Sequence, residues 1–116
     1  MADVTDYCGI VSGNKYNKAK MFETFYGKLK TAPMIKECPF NAECKLIQTI
    51  DIPDHELFIG EIIAAYSDER YLAKGAPDLR KIAPFILSIP ERKYLSLGAE
   101  VGQAWEIGKK FIPKGT

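Results

Sequence analysis

The chain has 116 residues, 47% hydrophobic and 27% charged, with a formal net charge of +1. That is one domain by size, long enough to bury a core without metal or disulfide staples. The near-neutral charge excludes bulk electrostatic binding to nucleic acid or an anionic membrane surface, and no apolar run approaches the ~20 residues of a membrane-spanning helix.

The start, Met1-Ala2-Asp3-Val4-Thr5-Asp6, is acidic and polar, unlike a signal peptide. The next stretch, Gly9-Ile10-Val11-Ser12-Gly13-Asn14, leads into a helix predicted over 14–30. Ala19, Phe22, Phe25, Tyr26 and Leu29 recur there at three- and four-residue steps. Asn14 suits the cap, and Thr31-Ala32-Pro33 the stop. A strand is predicted over 42–51, with Cys44, Leu46 and Ile50 on an apolar side and Glu43, Lys45 and Thr49 on the other. Pro53-Asp54 makes a turn. The strand predicted over 56–67 is apolar on both faces and reads as a central strand covered on both sides. Gly60 in its middle marks a bulge or a close approach. After the Lys74–Asp78 loop come a short helix or turn to Ile82 and strands Phe85–Ser88 and Lys93–Leu97. A C-terminal helix carries Val101, Ala104, Trp105 and Gly108 on one face, with Lys109 and Lys110 in its last turn. Four strands are few to close a barrel, so the sheet stays open or a partner chain completes it.

The predicted helix start is the best chemical clue. Lys15 and Lys18 lie near it, and no acid stands between Asp6 and Glu23. Lysines are disfavoured at the positive end of a helix dipole unless an anion binds there. Free amides, Ser12 and Gly13 are the parts of a phosphate cradle; the same residues also suit a solvated basic turn with an Asn cap. His55 is the only histidine. It opens the second strand, where it can hydrogen-bond a cofactor or substrate, or simply Asp54 or the backbone. Cys8, Cys38 and Cys44 cannot all pair within one chain and form no CxxC, so they read as reduced thiols of a cytoplasmic protein. Cys44 reads as inert core. No metal site is predicted, because a zinc site would need these scattered cysteines to converge. Tyr94 and Trp105 suit either packing or stacking on a flat ring.

Several segments together resemble the flavin reductase-like family, which includes flavoredoxins. Asp6-Tyr7-Cys8-Gly9-Ile10-Val11-Ser12-Gly13 followed by Lys18 resembles its Asp-x-x-Gly-x-x-Ser-Gly stretch with a lysine beyond. Ala32-Pro33-Met34-Ile35 through Glu43-Cys44-Lys45 resembles the segment entering a strand that opens Glu-Cys. Asp54-His55-Glu56-Leu57-Phe58-Ile59-Gly60-Glu61-Ile62 is similar to its Gly-Asp-His-x-x-Phe-x-Gly-Glu-Val signature, with Pro53 where the family often has Gly. The tail from Tyr94 through Gly98 to Trp105 resembles its tyrosine-and-glycine segment.

The resemblance covers nearly the whole chain in order. It implies an α+β, mainly β, incomplete FMN-binding split β-barrel, with about four strands, one N-terminal helix and one short C-terminal helix. Residues 1–116 form a single domain resembling the family's C-terminal part. The family's early strands, which hold the flavin ring and part of the phosphate, are expected to be absent, which would leave flavin affinity weak or nil. The resemblance further implies a homodimer, FMN as cofactor with Ser12, Gly13 and Lys18 by its phosphate, and NAD(P)H as co-substrate with His55 near the reacting rings. The activity expected is hydride or electron transfer between NAD(P)H and flavin. A non-catalytic flavin- or phosphate-binding module and an inactive structural remnant that forms an oligomer are the alternatives.

Overall fold

The computed structural model describes residues 1–115. The chain separates into two units, Met1–Pro84 with three β-hairpins and Phe85–Thr116 with one among the described residues. In the first unit, helix α1 (Ala2–Ile10) precedes β1 (Thr24–Tyr26), β2 (Pro33–Ile35), β3 (Phe40–Ile52), β4 (His55–Ser67), β5 (Leu72–Ala73), β6 (Ala76–Pro77) and helix α2 (Leu79–Ile82). The second holds β7 (Phe85–Ser88) and β8 (Lys93–Ser96). Each strand pairs with one neighbour, giving four two-stranded antiparallel ladders and, among the described residues, no closed barrel. Both helices belong to the first unit, and neither is long and apolar enough to cross a membrane.

The long hairpin β3–β4 follows the alternation in the sequence, and its turn is Pro53-Asp54, with Ile52 opposite His55. The register slips twice: Ile63 is extra between the pairs Glu43–Ala64 and Cys44–Ile62, and Ile47 between Leu46–Gly60 and Gln48–Ile59. The predicted bulge therefore lies beside Gly60. A Cβ there would stand 3.1 Å from Cys44 Cβ, so glycine lets the two strands close. β4 is not the covered central strand expected. It pairs with β3 alone, and Phe58 and Ile62 are 60% and 66% exposed, because the described residues supply neither a third strand nor a covering layer.

Two predicted helices are replaced. Of the 14–30 helix only a 3-10 turn at Lys18–Met21 forms, and Thr24–Tyr26 becomes a strand. β-Branched and aromatic side chains suit a pleated surface, and pairing with β2 sets Phe25 edge-on to the Tyr66 ring, 5.9 Å between centroids. The three- and four-residue spacing of its apolar residues is a coincidence of a loop and a strand. The C-terminal helix is also absent. Residues 103–107 make one isolated turn, followed by a 3-10 turn at Lys109–Phe111. Gly102 and Gly108 interrupt the segment, and Val101 is 94% exposed, so no packing offsets the nucleation penalty of a short helix.

Among the described residues only Met34 and Glu43 are buried. Glu43 was expected on the solvent side of β3 and Cys44 in the core; the structure reverses them, with Glu43 buried and Cys44 exposed. The β1–β2 connection folds over the polar face of β3. There Glu43 accepts hydrogen bonds from the Lys28 amide (2.7 Å), the Leu29 amide (3.0 Å) and the Tyr66 hydroxyl (2.8 Å). Gly27 completes the contact, since a Cβ on it would lie 2.4 Å from the Tyr66 hydroxyl oxygen. Asn41 ties β2 to β3 in the same way: its carbonyl accepts from Ile35 N–H and its amide donates to the Ile35 and Cys38 carbonyls.

Candidate functional site

The segment singled out for an anion does not begin a helix; it follows one. Helix α1 half-buries Val4, Tyr7 and Cys8 along one face and ends at Val11, whose backbone is extended. Lys18 reaches back to this end. Its ammonium donates to the carbonyl oxygens of Cys8 at 2.7 Å and Val11 at 3.1 Å. The helix-start argument is thereby corrected. Lys18 sits at the negative end of a helix dipole, where a cation satisfies carbonyls that lack an in-helix partner.

Between Val11 and Lys18 the chain winds into a polar turn. The Ser12 carbonyl accepts from the Lys15 amide (3.1 Å) and the Tyr16 amide (3.2 Å), and the Ser12 hydroxyl oxygen accepts from the Asn14 amide (3.3 Å). The amides of Gly13 and Asn17 have no acceptor among the described residues. A Cβ placed on Gly13 would meet nothing within 4 Å, so its local packing leaves room for a ligand to approach the backbone. The turn borders an open depression of about 530 Å³ lined by Gly13, Lys15, Tyr16, Asn17 and Lys18 among others. Unpaired amides and two ammonium groups bordering open space, with the Ser12 hydroxyl in the same turn though not in the lining, are donors that suit a multiply charged oxyanion. A phosphate monoester such as that of FMN fits this set.

Ser12, Gly13 and Lys18 are thus gathered in one turn. His55 is exposed at the tip of the β3–β4 hairpin and does not line the depression. Cys8, Cys38 and Cys44 are unpaired. Burial, and then the charge of Glu37, push the Cys38 thiol up, which disfavours its thiolate. Tyr94 packs edge-on to Phe85 with ring centroids 5.5 Å apart, while Trp105 is 90% exposed. Sequence reasoning missed the Glu43 network. The Glu-Cys pair marked the position, but nothing in the strand alternation revealed that its polar face is the covered one.

The sequence profile of the flavin reductase like domain matches residues 1–81, and the chain belongs to that family. It is similar to the crystal structure of flavoredoxin from Methanosarcina acetivorans, with a TM-score of 0.93 and 50% identity over 97% of this chain and 60% of that one. Flavoredoxin of Desulfovibrio vulgaris (Miyazaki F) is similar at a TM-score of 0.81 and 34% identity, over 91% of this chain and 58% of that one. A curated protein of Archaeoglobus fulgidus, described as uncharacterised, is 34% identical over 73 residues, covering 61% of this chain and 41% of its own length. The chain thus spans less than two thirds of the relatives it matches.

Proposed function

We propose that the chain is an FMN-binding, flavin reductase-type oxidoreductase domain, with the phosphate end of FMN seated against the turn that contains Ser12, Gly13 and Lys18. The observation that carries this reading is the open, donor-rich depression beside Gly13 on a chain of the flavin reductase like family. The bound flavin supplies the hydride and electron chemistry with NAD(P)H; the protein supplies position and charge. The turn anchors the phosphate, and His55 is assigned a hydrogen bond to the reacting rings from the hairpin tip. The unpaired thiols suit a reducing, cytoplasmic compartment.

The protein works as a homodimer in this account. The apolar side chains exposed on β3 and β4 are what a second copy would cover.

A second reading, a flavin-binding module without turnover, is favoured by the position of His55 outside the depression. Mixing the purified protein with FMN and NAD(P)H separates the two. The first reading predicts protein-dependent oxidation of NAD(P)H that His55→Ala slows more than it weakens flavin binding. FMN binding without oxidation would leave the module, and absence of FMN binding would reject both.

A further inference from the structure

A second cavity lies at the base of the long hairpin, where Phe40 pairs with Ser67, at the opposite end of the ladder from the Ile52–His55 pair. It holds about 340 Å³ and shares no lining residue with the depression beside Gly13. That volume is at the small end of the roughly 300–1,000 Å³ usual for small-molecule sites. The rings of Phe25, Tyr66 and Tyr71 line it, together with Cys38, Lys36 and Arg70. Much of its polar lining is already spent. The Tyr66 hydroxyl donates to Glu43, the Ser67 hydroxyl donates to the Pro39 carbonyl at 2.7 Å, and the Asn41 side chain is bonded to Ile35 and Cys38. Lys36 is held by Glu23. Arg70 is different. Its guanidinium carbon lies 5.0 Å over the Tyr71 ring, and its Nε stands 3.7 Å from Asp68, whose carboxylate also accepts from the Arg70 amide at 3.1 Å. Ring and carboxylate hold the guanidinium by its face and its Nε edge. The two terminal amino groups have no partner among the described residues and remain as a planar fork.

We propose that this cavity binds a small aromatic carboxylic acid, its carboxylate on the terminal amino groups of Arg70 and its flat body against the rings of Phe25 and Tyr66. Asp68 and Glu23 each face one of the two cations, so the attraction for an anion is the local one of the fork, and apolar contact with the rings must supply the rest. A single planar fork matches a carboxylate. The spent side chains of Tyr66, Ser67 and Asn41 leave nothing to meet the further oxygens of a phosphate. The site is independent of the flavin reading, since it uses none of the residues assigned to FMN.

The test titrates naphthoate, and separately its neutral alcohol naphthylmethanol, into the full chain without flavin, following backbone amide resonances by NMR. Naphthoate should give saturable shifts centred on Phe25, Cys38, Asn41 and the segment from Tyr66 to Tyr71, and should bind about tenfold or more tightly than the alcohol, the usual worth of a charge-assisted contact. Arg70→Gln should bring the acid to within about twofold of the alcohol, and Arg70→Lys should recover only part of the preference, because an ammonium is a point charge without the fork. Arg70 is exposed, so both variants should keep the amide dispersion of the native chain. Shifts that do not saturate or that centre elsewhere, equal affinity for acid and alcohol, or a preference kept in Arg70→Gln would each overturn the proposal. The comparison of acid with alcohol on the native chain needs no variant, so the proposal stays open to refutation even if a substitution disturbs folding.

Discussion

Glu43→Ala should lower the thermal midpoint of the protein by on the order of 10 °C. Glu43 is 1% exposed and gathers two backbone amides and the Tyr66 hydroxyl, so its removal leaves three donors facing a cavity. The same network sets the pH limits of the fold. Burial pushes the Glu43 carboxyl up, but hydrogen bonds from the Leu29 amide, the Tyr66 hydroxyl and the Lys28 amide outweigh it and hold the group below its ordinary range. A folded-state value below the unfolded one means that this stabilisation is present above about pH 4 and is lost as the pH falls further. Tyr66 bounds the alkaline side. Its hydrogen bond to Glu43, with burial second, pushes the phenol up, so its contribution holds below about pH 10 and disappears above it. Thermal melts from pH 3 to 11 should fall at both ends in the native protein, and Glu43→Gln should flatten the acid limb. Gly27→Ala should reproduce the destabilisation of Glu43→Ala, because the added methyl collides with the Tyr66 hydroxyl. Midpoints within 2–3 °C of the native protein for both variants, well inside the expected ~10 °C, would show that the network contributes little.

The second large effect concerns association. Sedimentation should give about twice the chain mass of 13.0 kDa, and Phe58→Glu combined with Ile62→Glu should shift the protein to the monomer. Both residues lie on the long hairpin and are more than half exposed, where a charge disturbs nothing inside the chain but cannot be buried against a second copy. A native protein that sediments as a monomer at high concentration, or a double variant that remains dimeric, contradicts this account.

Much of the fold is legible where local pattern and partner agree. The β3–β4 hairpin, its Pro53-Asp54 turn, the irregularity beside Gly60, the short helix before Ile82 and the final hairpin all follow from alternation and turn chemistry. The failures occur where a distant contact decides. Thr24–Tyr26 carries a helical spacing but is recruited by β2 and Tyr66. Helix α1 consists, apart from Ala2, of weak helix formers and is fastened at its end by Lys18 from beyond the turn, which no local signal reports. The same lysine overturns the helix-start argument. Ser12, Gly13 and Lys18 share one turn, but the dipole runs the other way, so the anion argument rests on open space and free amides rather than on a helix start.

The most direct measurement is the affinity of the isolated chain for FMN compared with riboflavin at low and high salt. Recognition at the phosphate end predicts that FMN binds about tenfold or more tightly at low ionic strength and that added salt erodes this advantage. Equal affinities at every salt concentration, or no binding of either flavin, would contradict it.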